Sequence, residues 1–453
     1  MKIGNTEYLL ESIREGRTMT RGEQLRLIVK MSVPSIMAQI SSVLMFFIDA
    51  AMVGHIGARA SASIGLVETS TWLLGGLASA ASLGFSVQVA HAIGANDMER
   101  ARRVLRQSIV CALIYSSCLA LVGAAIHSHL PYWLGGSEEI ARDASLYFLI
   151  VSLAGPLFQM AGLAGSMLKC SGNMKIPSML NIMMCVLDVI FNYIFIYVCD
   201  FGVPGAALGT SLAYFTTALA MMYFLLFRDR HLSLVGTKGS FRPTADCVRS
   251  AFKIGAPIAL QHVLMGGAQI VSTAIVAPLG IIAIAANTFA ITVESICYMP
   301  GYGIAEAATT LVGQGIGAGQ KVLTRSLARL SVGIGMAVMA LMGVLMWVFA
   351  PEMMSLLTPV EEIRMLGSHS LRIEAFAEPF FAAAIVCNGI FVGAGDTLKP
   401  AIMNLTSMWV VRLTLAALLA PTYGLTGVWT AMAVELTFRG TIFLLRLKAF
   451  QKI

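Results

Sequence analysis

The sequence predicts an all-α membrane protein that crosses the bilayer twelve times and consists of two parallel six-helix repeats. Three observations support this fold class: an apolar composition, long uncharged runs and an internal repeat. Of the 453 residues, 57% are hydrophobic and only 12% are charged, whereas soluble domains have roughly 45–50% and 25%. A soluble fold of this length could not bury so much apolar surface, so the chain is expected to lie in a membrane.

The uncharged runs have the length that a membrane-spanning helix needs. Residues 109–126 and 212–227 contain no charged side chain, and a helix needs roughly 20 largely apolar residues to cross the bilayer core. A β-barrel would instead show alternating segments of about ten residues. The runs therefore favour helical spans.

Charges, glycines and prolines divide the chain into twelve predicted spans. The six spans of the first half are residues 31–53, 62–92, 104–126, 144–168, 177–199 and 205–227. The six spans of the second half are residues 251–277, 283–312, 326–350, 367–393, 399–420 and 425–447. This division predicts a cytoplasmic segment (residues 1–30), an N-lobe (31–227), a cytoplasmic connecting loop (228–250) and a C-lobe (251–453). Thr20 and Glu23 have the spacing of a capping box, which would begin the first helix.

The distribution of Lys and Arg predicts the orientation of the chain. The two terminal segments and every second connection hold 25 basic residues, whereas the alternate loops hold three. Cytoplasmic loops are enriched in Lys and Arg, so both termini are expected in the cytoplasm of a multi-pass cell-membrane protein. The formal net charge of +7 follows from this bias and needs no nucleic-acid partner.

An internal repeat relates the two halves of the sequence. A shift of 223 residues aligns Gly57 with Gly280, Pro156 with Pro379, and many further residues between positions 34 and 177 without a gap. Six spans per copy is an even number, so both copies would insert with the same orientation, as parallel repeats about an axis along the membrane normal. That architecture is typical of transporters.

Two acids in the first half break this repeat. Asp49 in span 1 and Asp188 in span 5 align with Ser272 and Val411. Matching residues can be explained by packing, but a charge at the bilayer centre costs about 2.5–3.5 kcal/mol or more, so unmatched acids indicate function. The alternative is that each acid caps a helix or pairs locally.

Asn192 and Thr210 complete the predicted site. Asn192 lies one helical turn after Asp188 on the same face, and Thr210 in span 6 offers a hydroxyl. Two carboxylates, an amide oxygen and a hydroxyl are hard ligands suited to Na⁺. If the carboxylates lie within about 8 Å, their repulsion would let one carry a proton instead. The sequence therefore predicts a cation or proton coupling site.

Further ionisable and polar residues within the spans are candidates for a cavity that binds cationic substrates. Glu435 and Arg439, one turn apart, are predicted to form a structural ion pair instead. The substrate-cavity candidates are Glu68, Gln261, Glu294, Glu306, Glu374 and Glu378.

Several enzyme classes lack their motifs here. The glycine-rich residues 313–319 end an apolar helix and do not follow a strand, so they do not predict a dinucleotide site. GxxxxGK[ST], HExxH and GxSxG are absent, and the eight cysteines lack metal-site spacing. We therefore expect neither enzymatic activity nor a cofactor, and transport would have to draw on an ion gradient.

Over residues 30–448 the chain resembles multidrug and toxic compound extrusion (MATE) transporters. The resemblance rests on four motifs together with the duplication of a six-helix unit. The motifs are Pro34 with the FIDAAMVG stretch at 47–54, QGIGAG at 314–319, GAGDT at 393–397 with Pro400, and GVW at 427–429. It implies a V-shaped, two-lobed antiporter that exports organic, often cationic, compounds against H⁺ or Na⁺.

The resemblance also assigns roles to individual residues. The family's first-lobe cation site falls on Asp49, Asp188, Asn192 and Thr210, with the acid and amide of span 5 in exchanged order relative to some members. The sodium-type branch has further acids in span 7 and late in span 10, where this chain offers Gln261 and Gly393. That second-lobe site is therefore expected to be missing.

Two other functions remain open. A lipid or polysaccharide-precursor flippase would favour a basic central cavity, whereas acids outnumber bases within the spans of this chain. A membrane-embedded enzyme could use paired acids, but Asp49 and Asp188 lack the local motifs of such chemistry. The favoured function involves small organic substrates and membrane lipid, and we expect a monomer.

Overall fold

The computed structural model describes residues 5–450, and every regular element within them is helical. Lys2 and Lys452, two of the basic residues counted above, lie outside the described residues. The helices up to the connecting loop are α1 (Asn5–Arg14), α2 (Arg21–Ile56), α3 (Ala58–Gly94), α4 (Met98–Ile126), α5 (Leu130–Trp133), α6 (Glu138–Leu153), α7 (Gly155–Cys170), α8 (Lys175–Tyr193) and α9 (Gly202–Tyr223). The helices that follow are α10 (Ala245–Val276), α11 (Ile281–Gly317), α12 (Lys321–Leu357), α13 (Glu361–Ala375), α14 (Glu378–Gly393), α15 (Leu398–Thr406) and α16 (Leu413–Ala449). Short π-helical turns continue α8 (Ile194–Val198) and α9 (Phe224–Arg228) and join α15 to α16 (Ser407–Arg412).

The lengths of these helices fit twelve crossings. Nine helical stretches in the described chain are long and apolar enough to span a bilayer, and two bent pairs bring the number to eleven. One of the nine, Leu398–Ala449, has 52 residues, which is enough for two spans. Its chain leaves helical geometry at Gly424 (φ 60°, ψ −139°), between the two predicted spans.

Two predicted spans, 144–168 and 367–393, are not continuous helices. The first bends by 45° between α6 and α7, and the second by 60° between α13 and α14. Pro156 and Pro379 are the second residues of α7 and α14. Proline has no amide hydrogen and fits only the first turn of a helix, so these equivalent prolines start new helices at equivalent places.

Two equivalent glycines make the turns that follow the first span of each repeat. Gly57 (φ 141°) lies between α2 and α3, and Gly280 (φ 103°) precedes α11. Residues with a side chain rarely adopt these angles, so glycine allows two long helices to follow each other with almost no loop.

The chain forms two compact units, which we describe separately. The N-unit is Ser41–Ala259, and the C-unit contains the described parts of Met1–Ile40 and Leu260–Ile453. These units differ from the predicted sequence lobes, because α2 and α10 each contribute to both. The lobe boundaries at residues 227 and 251 describe the repeat and stay a prediction.

Hydrogen bonds show to which unit the first part of α2 and the first part of α10 belong. In the C-unit, Ser35 and Gln39 of α2 donate hydrogen bonds to Glu306 of α11. In the N-unit, Gln88 donates to the backbone carbonyl of Cys247 in α10 (3.2 Å). The predicted capping box is confirmed, since the Thr20 amide donates to Glu23 (2.8 Å) and the Glu23 amide donates to the Thr20 hydroxyl (3.3 Å).

Candidate functional site

Asp49, Asp188, Asn192 and Thr210 come together inside the N-unit. The Nδ2 of Asn192 donates to Oδ1 of Asp49 (3.0 Å) and to Oδ2 of Asp188 (3.1 Å). One amide nitrogen thus joins two carboxyl groups that lie 139 residues apart in the sequence. Asp188 also interacts directly with the Asp49 carboxyl and the Thr210 hydroxyl.

The site is buried on one side and accessible on the other. Asp188 and Asn192 are each 1% exposed, whereas Asp49 and Thr210 are half-buried. The Oδ1 atoms of Asp188 and Asn192 are buried without a hydrogen-bond donor. Buried oxygens without a donor are costly, so the Asp188 oxygen gives the site unused capacity to bind a cation, a proton or a water molecule.

Close approach of α8 and α9 makes this arrangement possible. Gly209 of α9 packs directly on α8, where an added Cβ would lie 2.1 Å from Oδ1 of Asn192 and 2.8 Å from its backbone nitrogen. Gly205, one turn earlier, approaches the Phe195 carbonyl in the same way (2.7 Å). Small residues four apart let membrane helices approach closely, which brings Thr210 beside Asp188.

Three of the second-half glutamates form a separate cluster in the C-unit. Glu294 of α11, Glu374 of α13 and Glu378 of α14 are buried, the last two completely. The Glu294 and Glu374 carboxyls are within hydrogen-bonding range of each other, and both interact electrostatically with Arg412. The carboxyl oxygens of Glu374 and Glu378 accept no hydrogen bond from outside the carboxyls of the cluster.

The structure separates the remaining substrate-cavity candidates. Glu306 accepts hydrogen bonds from Ser35 and Gln39 at another place in the C-unit. Glu68 is exposed in the N-unit, and Gln261 is half-buried in the C-unit. The six residues therefore do not form one cavity within either unit, although the role of each as a substrate contact stays a prediction.

The predicted ion pair of Glu435 and Arg439 is confirmed. The Arg439 guanidinium lies 2.7 Å from Oε1 of Glu435, and the Ser407 hydroxyl donates to the same oxygen at 2.5 Å. Glu435 is completely buried, so the Arg439 guanidinium neutralises a buried negative charge on α16.

The ligand types in the N-unit suit a monovalent cation better than a transition metal. Between residues 5 and 450, no three His, Cys, Asp or Glu side chains are arranged to hold a metal ion. The coupling-site candidates offer two carboxyls, an amide and a hydroxyl, which suit Na⁺ or a shared proton.

A family model named MatE matches this chain twice, over residues 34–194 and 257–418. The two matches cover more than half of the chain. Their first residues, 34 and 257, are separated by 223 positions, which is the offset of the internal repeat. The chain belongs to the MatE family. The match confirms the predicted resemblance and the duplication, and the protein is a transporter and not an enzyme.

Relatives in the MatE family align with almost the whole chain. A probable multidrug resistance protein NorM of Thermotoga maritima is 26% identical over 428 residues, with 92% of this chain and 91% of that protein covered. A protein of the same name from Bacillus cereus is 24% identical over 448 residues, with 96% and 97% covered.

Solved structures share the fold. A MOP superfamily transporter from Pyrococcus furiosus superposes with a TM-score of 0.88 at 22% identity, covering 96% of this chain and 98% of that one. A variant of the MATE transporter VcmN of Vibrio cholerae superposes with a TM-score of 0.88 at 19% identity, covering 98% of both chains. The predicted all-α, twelve-helix fold class is therefore confirmed.

Proposed function

We propose that this MatE protein exports organic, often cationic, compounds across the cell membrane in exchange for H⁺ or Na⁺. Asp49, Asp188, Asn192 and Thr210 would form the coupling site. The observation that carries this proposal is the amide of Asn192, which bonds to both carboxyls inside the N-unit. The multidrug resistance names of the relatives support small organic substrates, with membrane lipid as the surrounding partner.

The geometry provides a physical mechanism for coupling. Two close carboxylates repel each other in a medium of low dielectric, and one added positive charge converts repulsion into attraction. A proton would bridge the carboxyls while the Asn192 nitrogen keeps its hydrogen bonds. Sodium would require the Asn192 oxygen to turn towards the ion, which is a rotation of the amide by half a turn.

Binding of the ion would change the relation between α2 and α8, which carry the two acids. An ion that binds one conformation more tightly shifts the population towards that conformation. Loss of negative charge at Asp49 would also weaken the attraction for a cationic substrate. Ion entry and substrate release are thus linked by the same carboxyls.

The proposed substrate contacts differ in accessibility. Glu68 and Gln261 are exposed or half-buried, so a substrate can reach them directly. Glu294, Glu374 and Glu378 are buried, so they would contact a substrate only after the C-unit opens. The Arg412 guanidinium interacts electrostatically with Glu294 and Glu374, so it balances part of their negative charge in this conformation.

Asp49→Asn in proteoliposomes tests the coupling site. We expect gradient-driven export of a fluorescent cationic dye to be lost at near-normal protein abundance, because removal of an intramembrane charge seldom harms insertion. A pH gradient and a sodium gradient, imposed separately, identify the ion. Asp143→Asn in α6 of the same unit is the matched control and should export normally.

Normal export by Asp49→Asn would reject this site. Movement of a labelled lipid without dye export would support a flippase instead. Export by wild type with neither gradient would exclude H⁺ and Na⁺ coupling.

A further inference from the structure

A cavity with both polar and apolar lining residues lies in the N-unit, on one side of the coupling-site candidates. It has a volume of about 300 Å³, is partly open, and is lined by side chains of α3, α7, α8 and α9. Its polar lining residues include Ser79, Ser82, Gln159, Ser166, Lys169 and Asn181. A partly open cavity of this size, with these polar groups in its wall, holds several water molecules.

Gln159 shows that the cavity wall has unused hydrogen-bonding capacity. Its side chain is 1% exposed, and its Nε2 donates to the Ala78 carbonyl (3.2 Å) and the Ser82 hydroxyl (2.9 Å). Its Oε1 is buried without a partner. That oxygen is covered from the cavity in this conformation, so it can bind water or a cation only when the cavity wall moves.

Bulky apolar residues separate this cavity from the coupling-site candidates. Met45, Met184, Ala213 and Tyr214 pack together, and we call these four residues the apolar layer. Met184 and Tyr214 also line the cavity. The layer is therefore in contact with the cavity on one side.

On each of three helices, one residue of the apolar layer lies one turn from one of the coupling-site candidates. Met45 lies one turn before Asp49 on α2, and Met184 lies one turn before Asp188 on α8. Tyr214 lies one turn after Thr210 on α9, which runs antiparallel to the other two. All three helices thus place a bulky side chain one turn from the polar site, in the same direction.

That direction leads to the basic end of the N-unit. Lys169 and Lys175 lie where α7 ends and α8 begins, on the far side of the cavity from Asp188.

Phe158 packs edge-on against Tyr214 with ring centroids 4.4 Å apart, which holds the Tyr214 ring in the layer. Apolar constrictions between two polar compartments can gate ions by excluding water.

We propose that the coupling cation crosses the apolar layer into this cavity and passes through it to the basic end of the N-unit. The inference rests on the proposed antiport function and adds the route of the ion. The layer is closed in this conformation, and opening it would connect Asp188 to the water of the cavity.

Met184→Asn should turn this closed layer into a leak. A polar side chain in the layer offers hydrogen bonds to water and to the ion, so we expect substrate-free ion influx to rise roughly tenfold. Influx is measured in proteoliposomes with entrapped pyranine under a pH gradient and, separately, with radioactive sodium. Met183→Asn, on the neighbouring and partly exposed residue of α8, is the control and should remain tight.

A second substitution separates the ion route from other leaks. Adding Asp49→Asn to Met184→Asn should suppress the leak, because an ion on this route must first bind the acids. A leak that Asp49→Asn does not change would overturn the proposal, as would the absence of any leak in a folded Met184→Asn protein.

Gly162→Val tests the cavity itself if Met184→Asn protein cannot be purified. The nearest atom to a Cβ at Gly162 is Oγ of Ser82, at 4.0 Å, so valine fits and fills part of the cavity. We expect dye export to slow several-fold while dye binding is unchanged, whereas the control Gly333→Val, at an exposed position with open space, should export normally. Full export by Gly162→Val, with Asp49→Asn inactive, would reject the route and leave the antiport function standing. Normal export by Asp49→Asn would instead reject the proposed coupling site.

Discussion

Asp188 and Glu435 are both buried carboxyls, but their surroundings differ. Glu435 has the Arg439 guanidinium at 2.7 Å and a hydroxyl donor, so its charge is neutralised by a fixed partner. Asp188 has an amide, a hydroxyl and a second carboxyl, none of which carries a positive charge. A charge without a fixed partner can take up and release a mobile cation, whereas a paired charge contributes to structure.

The Glu435–Arg439 pair gives a test of its structural role. Arg439→Met leaves the Glu435 charge buried without a partner, which should lower the free energy of unfolding by roughly 3–5 kcal/mol. The thermal midpoint of the purified protein in detergent measures this loss. The double variant Glu435→Leu with Arg439→Leu should recover most of it, because no unpaired charge remains.

A functional role of the pair would give another result. If Arg439→Met kept the wild-type thermal midpoint but lost dye export, the pair would belong to the transport mechanism.

At the scale of helices, the α8–α9 pair determines the geometry of the coupling-site candidates. Gly205 and Gly209 place the backbone of α9 against α8, and the i, i+4 spacing on α8 puts Asp188 and Asn192 on one face. Neither helix alone forms the site, since Thr210 reaches Asp188 only through this contact. Packing of small residues is what positions polar groups here.

Gly209→Ala tests this helix contact. The added Cβ would lie 2.1 Å from Oδ1 of Asn192, so the helices must separate, at a cost of roughly 1–3 kcal/mol. We expect a lower thermal midpoint and loss of dye export. The control Gly54→Ala on α2, where nothing lies within 4 Å of a Cβ, should change neither quantity, and full export by Gly209→Ala would show that the close approach is not needed.

At the scale of the whole chain, α2 and α10 each belong to two compact units. The first half of α2 is held in the C-unit through Glu306 and through packing of Ile36 against Gly303. The second half of α2 carries Asp49 in the N-unit. One helix therefore connects Asp49 to residues of the other unit.

Dividing the chain between Val235 and Gly236 tests this shared membership. Gly236 is an exposed turn residue with φ 71°, so the cut itself should be tolerated. The fragment of residues 1–235 lacks the C-unit partners of α2, and we expect it to be poorly abundant alone. Co-expression with residues 236–453 should restore both abundance and dye export, whereas a fragment that is equally abundant alone would contradict this division.

Much of the fold could be predicted because its signals are local in the sequence. Hydropathy identified the spans, and the 223-residue offset identified the duplication. Asp49 and Asp188 were identified as coupling-site candidates because neither has an acidic counterpart in the second half. The bends at Pro156 and Pro379 were missed, although the prolines were visible, because a proline can lie at the start of a helix or kink one.

The sequence by itself determined the membrane class and the repeat, and it predicted the four residues of the candidate coupling site. Only the tertiary structure decided that Glu294 joins Glu374 and Glu378, that Glu306 binds Ser35 and Gln39 instead, and that α2 is shared by two units. Hydropathy and helical periodicity are properties of neighbouring residues, so they can be read along the chain. Which of several buried acids meet depends on the packing of helices far apart in sequence, and no local pattern encodes that choice.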